Sequence, residues 1–262
     1  MKRSRSTSLI AIVALALFVL SLPTQGFAEP PQRVRVFKPI LDEPRQEASP
    51  DLGQPLVENA DKLTRLDPKH AVWVDKPGRQ VVLVGAVCKT FGPLELFACL
   101  VGTKEYESIV AVPTTARLVQ TALLAVGAET GHPVQYEPQY APPRGTPVEI
   151  TVIWTDKEGH RQSTRAQEWV RKVGTTQSME QAWVLAGGRF WKDEQSGKEI
   201  FTADVTGDLI CVSNFDDAVL DVPLRSTTED ASLLFEAFAE RIPQRGTPVT
   251  LLLKPQLKEP QK

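Results

Sequence analysis

Two stretches of this chain pass the same landmarks in the same order, and that order constrains the fold more than any single motif does. In the first, Trp73-Val74 is followed by Ile109-Val110-Ala111-Val112-Pro113, a helical segment, and Pro142-Pro143-Arg144-Gly145-Thr146-Pro147-Val148. In the second, Trp183-Val184 is followed by Val219-Leu220-Asp221-Val222-Pro223, a second helical segment, and Pro243-Gln244-Arg245-Gly246-Thr247-Pro248-Val249. The first two landmarks recur at one shared interval, and the last at a slightly shorter one. One copy alone is too small to bury a sheet well, whereas two can share a core across a pseudo-twofold axis. The pattern predicts an α+β fold, a mostly antiparallel sheet built from two related βββαβ-type halves, about 69–165 and 180–255.

Local patterning fills in the halves. Ala71–Val74, Gln80–Cys88, Leu94–Cys99 and Ser108–Val112 read as strands, with Gly85 as a bulge. Pro113-Thr114-Thr115 opens a helix in which Leu118, Val119, Ala122, Ala125 and Val126 recur at helical spacing, and Gly127 stands where it ends. Val148, Ile150, Val152 and Trp154 alternate as a half-buried strand, which the turn Asp156-Lys157-Glu158-Gly159 joins to a polar partner at 160–165. Ser226 and Glu229 form a capping box for a second helix with Leu233, Leu234, Ala237 and Phe238 on one face.

The ends carry a different message. Lys2, Arg3 and Arg5 precede an uncharged apolar run from Leu9 to Leu22, and Gly26-Phe27-Ala28 supplies small residues before a cut at Glu29. This is the three-part pattern of a secretory signal peptide at 1–28. The run is about 14 residues, short of the roughly 20 needed to span a bilayer. Residues 29–68, rich in Pro and charge, read as a flexible tether, and 256–262 as a frayed tail. Cleavage would remove three of the 30 cationic side chains and none of the 32 acidic ones, leaving a net charge of −5. An acidic chain with scattered Lys and Arg is a poor match for nucleic acid, or for a membrane surface after cleavage. The expected location is extracytoplasmic, periplasmic or secreted.

Three cysteines, Cys88, Cys99 and Cys211, permit at most one intramolecular disulfide. Cys88 and Cys99 flank the turn Phe91-Gly92-Pro93, so a local Cys88–Cys99 pairing is one reading. Three reduced, buried thiols are the other.

The blocks Gly92-Pro93-Leu94-Glu95, Phe97-Ala98-Cys99, Gly102-Thr103-Lys104-Glu105-Tyr106-Glu107-Ser108, Ala122-Leu123-Leu124-Ala125-Val126-Gly127, Trp183-Val184 and Asp208-Leu209-Ile210-Cys211-Val212-Ser213-Asn214-Phe215 resemble the YdjY-like domain of exported bacterial proteins. The resemblance runs from Val72 to Pro255 and implies no particular activity. Tyr106 stands where similar proteins often carry a His between the two glutamates. Some relatives are described as ferredoxin-like, but three cysteines without a Cys-x-x-Cys pair do not supply the four thiolates of an iron–sulfur cluster.

Catalytic sets are missing from the sequence. His70, His132 and His160 all fall in turns or at strand starts, and there is no Gly-x-Ser-x-Gly elbow, His-Glu-x-x-His helix or phosphate-cradling loop. Paired carboxylates remain. Glu105 and Glu107 share a face of an extended segment, Asp204 and Asp208 bracket a tight loop, and Asp216-Asp217 stand at the matching place in the second copy. Glu105, Glu107, Asp204 and Asp208 are therefore the candidate ligands for a divalent cation such as calcium, the one cofactor considered. Phe190 and Trp191, in a polar–aromatic loop, are the candidate contact surface. The sequence favours an exported, non-enzymatic binding or assembly module of the cell envelope, with an envelope protein or glycan as partner. A carboxylate-dependent envelope enzyme, such as a hydrolase, is the alternative. In that alternative, Glu95, Glu105, Glu107, Asp204 and Asp208 converge in one pocket.

Overall fold

Burial along the whole strand marks the centre of the sheet and alternating burial marks strands such as 147–155 and 161–165; the computed structural model describes residues 52–194, 196–226 and 233–257. β1 (Thr64–Arg65), β2 (Val72–Asp75) and β3 (Gln80–Val87) form an antiparallel meander. β4 (Leu96–Leu100) and β5 (Ser108–Val112) lie parallel and are buried along their whole length, as short, mostly apolar runs without alternation require. α1 (Ala116–Ala125) begins where the Oγ1 of Thr115 accepts a hydrogen bond from the Leu118 N–H at 3.3 Å. Its stripe of Ala116, Val119, Ala122 and Leu123 is buried in the main core. β6 (Thr130–His132) and β7 (Arg144–Gly145) make a small ladder, and β8 (Pro147–Thr155) and β9 (Arg161–Arg165) make the expected hairpin. β10 (Val170–Lys172) and β11 (Trp183–Leu185) lead to the hairpin of β12 (Phe190–Lys192) and β13 (Glu199–Phe201). The chain then runs through α2 (Ala203–Thr206), β14 (Ile210–Cys211), β15 (Leu220–Asp221), β16 (Phe235–Ala237) and β17 (Pro248–Pro255).

Eight of these strands close on themselves in the order β3-β17-β8-β11-β15-β14-β4-β5, with β5 pairing back onto β3. The β4–β5 and β14–β15 pairs are parallel and the other pairs antiparallel, so the barrel is mixed. Closure removes the open edges that a sheet would otherwise expose. Trp169, Trp183 and Phe97 fill the main core, with Phe97 5.6 Å from Trp183 and 6.5 Å from Trp169 between ring centroids. Burying each of these side chains is worth about 3 kcal/mol. The Trp183 indole is satisfied by donating to the Cys211 carbonyl at 2.8 Å.

The fold differs from the predicted α+β pair of βββαβ halves. It is a closed mixed β-barrel with, among the described residues, one helix longer than a single turn or so, α1, and the barrel does not divide into two βββαβ halves. The Gly-Thr-Pro landmarks do start matching strands, β8 and β17, which lie side by side in the barrel. However, Trp73 lands on β2, outside the ring, whereas Trp183 lands on β11, within it. The predicted second helix fails for a specific reason. Leu233, Phe235 and Ala237 are buried while Leu234 and Glu236 face outward, a period of two, and Phe235–Ala237 pairs with β10. Glu236 is held by the Arg171 guanidinium at 2.9 Å. Glu229 of the expected capping box lies outside the described residues.

Gly85 is not a bulge: the β3–β17 register runs through it without a break. A Cβ at this position would sit 2.6 Å from the Ala111 carbonyl oxygen, so glycine here allows β5 to approach and close the barrel. The Pro-rich, charged pattern assigns residues 52–65 to the tether. Among them Leu52, Val57 and Leu63 pack on Trp73, Val82 and Val84 of the outer barrel face, and the Leu56 N–H donates to Thr250 Oγ1 at 2.8 Å. The predicted signal segment 1–28, residues 29–51 of the predicted tether, and 258–262 lie outside the described residues. No helix among the described residues is long and apolar enough to cross a membrane.

Candidate functional site

Buried polar side chains gather on one outer face of the barrel, where β4, β5 and β14 meet. The loop 101–107 between β4 and β5 is wound by its own hydrogen bonds. Thr103 Oγ1 donates to the Leu100 carbonyl at 2.6 Å, the Gly102 N–H donates to Glu105 Oε1 at 2.5 Å, and the Glu107 N–H donates to the Lys104 carbonyl at 3.1 Å. This winding turns Lys104 inward, leaving it 7% exposed. Gly207 ends α2 in the left-handed region, at φ 84°, and a Cβ there would meet Thr103 Oγ1 at 2.1 Å. Glycine thus lets α2 close over the loop and bring Asp208 onto the lysine.

The Lys104 ammonium donates to Asp208 Oδ1 at 2.5 Å, stands 3.7 Å from Glu107 Oε1, and lies 4.2 Å from the centre of the Phe215 ring. Burial pushes the Lys104 pKa down, but the Asp208 charge and hydrogen bond, with help from Glu107, outweigh burial and hold it above its ordinary value. Asp217 lies beside this pair, hydrogen-bonded to Asp208, and accepts a hydrogen bond from Thr206 Oγ1 at 2.9 Å. Burial and then the Asp208 charge push its carboxyl up to about 7. Asp221 is fully buried, accepting from the Val222 N–H at 2.7 Å and the Asn214 amide at 3.2 Å, and burial pushes its carboxyl well above the ordinary value. One buried lysine therefore serves three buried aspartates. Asp208 takes the ion pair, while burial shifts Asp217 and Asp221 toward their neutral forms.

The three cysteines belong to the same face. Cys88, Cys99 and Cys211 are free thiols in one apolar patch with Leu96, Ala111, Phe215 and Ala218. Cys88, just past the end of β3, is half-buried and donates to the Ser108 carbonyl at 3.0 Å. The neighbouring Cys88 lowers the Cys99 pKa, while Cys99 and burial raise that of Cys88. Cys211 is held as an inert thiol by complete burial and by the neighbouring aspartates.

The structure brings some of the sequence-predicted residues together and separates others. Glu107 and Asp208 converge, but on Lys104 rather than on an open cation site. Glu105 is spent on the turn at Gly102. Asp204 leaves the group altogether: its Oδ1 accepts the Arg117 N–H at 2.9 Å, at the first turn of α1. Among the described residues no group of three His, Cys, Asp or Glu side chains is arranged to hold a metal ion. Glu95 is buried, its carbonyl accepting the N–H groups of Val212 and Ser213. Phe190 is 49% exposed on β12, stacked 5.0 Å from Phe201 with the Arg117 guanidinium 5.7 Å from its ring, and Trp191 beside it is half-buried. Sequence reasoning missed Lys104, whose buried partner lies 104 residues away, and missed Phe91 and Tyr106, exposed at 74% and 70%. The loops bearing these two rings are tied by Lys89 Nζ, which donates to the Tyr106 carbonyl at 2.7 Å. Two open clefts of about 630 and 480 Å³ flank the β2–β3 turn, and none of the residues of the Lys104 cluster lines either one.

These features define a class: a closed mixed β-barrel with a filled interior and charge buried on one outer face. Within that class the chain belongs to the family of YdjY domain proteins. The YdjY domain matches residues 72–254, which include the whole Lys104 cluster and all three thiols. No curated protein and no solved structure matches the chain.

Proposed function

We propose that this YdjY domain protein is an exported, non-enzymatic binding or assembly module of the cell envelope, docking an envelope protein or glycan through exposed aromatic side chains. The observation that carries the reading is the contrast between the core, where Phe97, Trp169 and Trp183 are fully buried, and the loops, where Phe91 and Tyr106 are held in solvent on one tied edge. Exposed aromatic side chains supply contact area at low entropic cost. Phe190 adds a second aromatic position on the β12–β13 hairpin. Of the carboxylates of the enzymatic alternative, Glu107 and Asp208 face Lys104, Glu105 holds a turn, Asp204 serves a helix start and Glu95 is buried.

The test is photo-crosslinking in living cells, with the reactive amino acid at Phe91, Tyr106 or Phe190 and at Lys157 as an exposed control. A discrete adduct at an aromatic position, absent at Lys157, supports the reading, and identical patterns at all four positions overturn it. Export has its own measurement: the mature chain recovered outside the cytoplasm begins at Glu29. An intact Met1 product confined to the cytosol refutes that part.

A further inference from the structure

From the larger cleft beside the β2–β3 turn we infer a second binding site, one for a small zwitterion: an amino acid or short peptide with a free carboxylate and a free ammonium. The cleft holds about 630 Å³, within the range of small-molecule sites. None of Phe91, Tyr106 and Phe190 lines it, so the site does not depend on the docking role proposed above.

Three parts of the chain wall the cleft, and hydrogen bonds pin each of them. The first is the turn between β2 and β3. Asp75 accepts the Gly78 N–H at 3.0 Å and the Gln80 side-chain amide at 2.8 Å, and the Arg79 N–H donates to the Lys76 carbonyl at 3.2 Å. The second is the segment from the end of α1 to β6. There the Glu129 N–H donates to Thr146 Oγ1 at 2.8 Å, and the Thr146 N–H donates to the Glu129 carbonyl at 3.1 Å. The third is the exit of β17. The Gln256 N–H donates to the Pro147 carbonyl at 2.8 Å, and Leu257 reaches within 3.3 Å of where Gly127 would carry a Cβ. A frame held in this way leaves little to be ordered when a ligand enters.

Arg79 is the residue that points to a ligand. Among the described residues it is the one non-glycine with a positive φ, 49°, a region that favours glycine. The turn by itself gives no reason for a cation there. The cleft does, because Arg79 lines it together with Lys76. The second wall carries the opposite sign, with Glu129 and the C-terminal, negative end of α1. None of the ion pairs among the described residues involves Lys76, Arg79 or Glu129. A carboxylate matches the guanidinium fork and the ammonium on the turn, and an ammonium matches Glu129 and the helix end. Val126, Pro147 and Leu257 give the lining an apolar share for the body between the two charges. Among the described residues no aromatic ring lines the cleft, so it lacks the stacking platform of a sugar site.

The experiment is titration calorimetry on the purified full-length chain. The probes are leucine, leucyl-alanine, the N-acetyl and C-amide forms of that dipeptide, and inorganic phosphate. The expected result is saturable binding of leucine or leucyl-alanine, tighter than about 1 mM, with about a tenfold loss when either end of the dipeptide is blocked. Arg79→Gly should weaken binding about tenfold while the unfolding midpoint holds or rises, because glycine relieves the backbone. Glu129→Gln should weaken the free dipeptide and leave its N-acetyl form unchanged. Lys157→Ala, on the β8–β9 turn, should alter neither. No saturable binding of leucine or leucyl-alanine overturns the inference. So does phosphate binding as tightly as they do, or full affinity in both Lys76→Ala and Arg79→Gly. Crosslinking at Phe91 reports on the docking role alone, so the two readings fail separately.

Discussion

Two outer faces of the barrel are covered in opposite ways. On β2, β3 and β17, Trp73, Val82, Val84 and Leu252 are covered by Leu52, Val57 and Leu63, an apolar strap on an apolar surface. Around β4, β5, β14 and β15, Lys104, Asp208 and Asp217 in the loops and Asp221 on β15 are buried on the side that also holds the three thiols. Area removed from water explains the first face. It does not explain the second, because an apolar set of the same volume is often as stable as a buried ion pair, or more stable. The comparison separates the part of the molecule that stability accounts for from the part that asks for a further role.

The largest expected effect breaks the second face. Asp208→Ala strands the Lys104 ammonium in the interior, and urea unfolding should show a loss of about 3–5 kcal/mol. Lys104→Met with Asp208→Leu should recover most of that loss. If the single change costs less than about 1 kcal/mol, the pair is solvated and the contrast between the faces disappears.

Asp217 gives the face a pH signature. Its carboxyl stands at about 7 in the folded protein against an ordinary 3.8, so between those values the folded chain keeps a proton that the unfolded chain has lost. Stability is then greatest below the ordinary value, falls as pH rises through the window, and is flat above about 7. The gap corresponds to about 4 kcal/mol. In Asp217→Asn the amide replaces the protonated acid at all pH values, Thr206 still has an oxygen to donate to, and the slope between pH 4 and pH 7 should become shallower by the Asp217 share, leaving that of Asp221. Thermal unfolding across that range measures it, and an unchanged slope places the titration elsewhere.

The strands were easier to read than what covers them. The apolar run Val81 to Val84 and the alternation of Val148, Ile150, Val152 and Trp154 identify strands locally, whereas the strap at 52–65 reads as tether because its packing on Trp73 is a long-range contact. The closure of the barrel is a long-range fact. It depends on Ala86 and Val87 pairing with Ala111 and Val110, and no local pattern states that. Leu233 to Phe238 has apolar residues compatible with either period, and pairing with β10 decides for a strand. Glu107 and Asp208 were found by their type, but Lys104 reads locally as a solvated turn residue. Only α2, closing through Gly207, makes it a buried cation.

Trp73→Ala tests the strap face. The indole is 6% exposed and supports Leu52, Val57 and Leu63, so the change should cost about 3 kcal/mol, at the low end for a tryptophan because the strap can settle into the gap. The loss should be the same at pH 4 and pH 7, since no titrating group takes part in that cluster. A pH-dependent loss would tie the two faces together and remove the distinction drawn between them.

The smallest effect concerns Asp204, which the sequence grouped with Asp208 and the structure assigns to α1. Asp204→Ala removes one acceptor from the first turn of the helix and should cost about 1 kcal/mol. Its value lies in the double-mutant cycle with Asp208→Ala. Groups that serve separate partners add to within about 0.5 kcal/mol. Here Asp204 serves the Arg117 N–H and Asp208 serves Lys104, so additivity is expected with or without added calcium. Coupling above about 1 kcal/mol that appears only with calcium would mean that the carboxylates act as one ligand set. The charged face would then be a cation site rather than a neutralised ion pair.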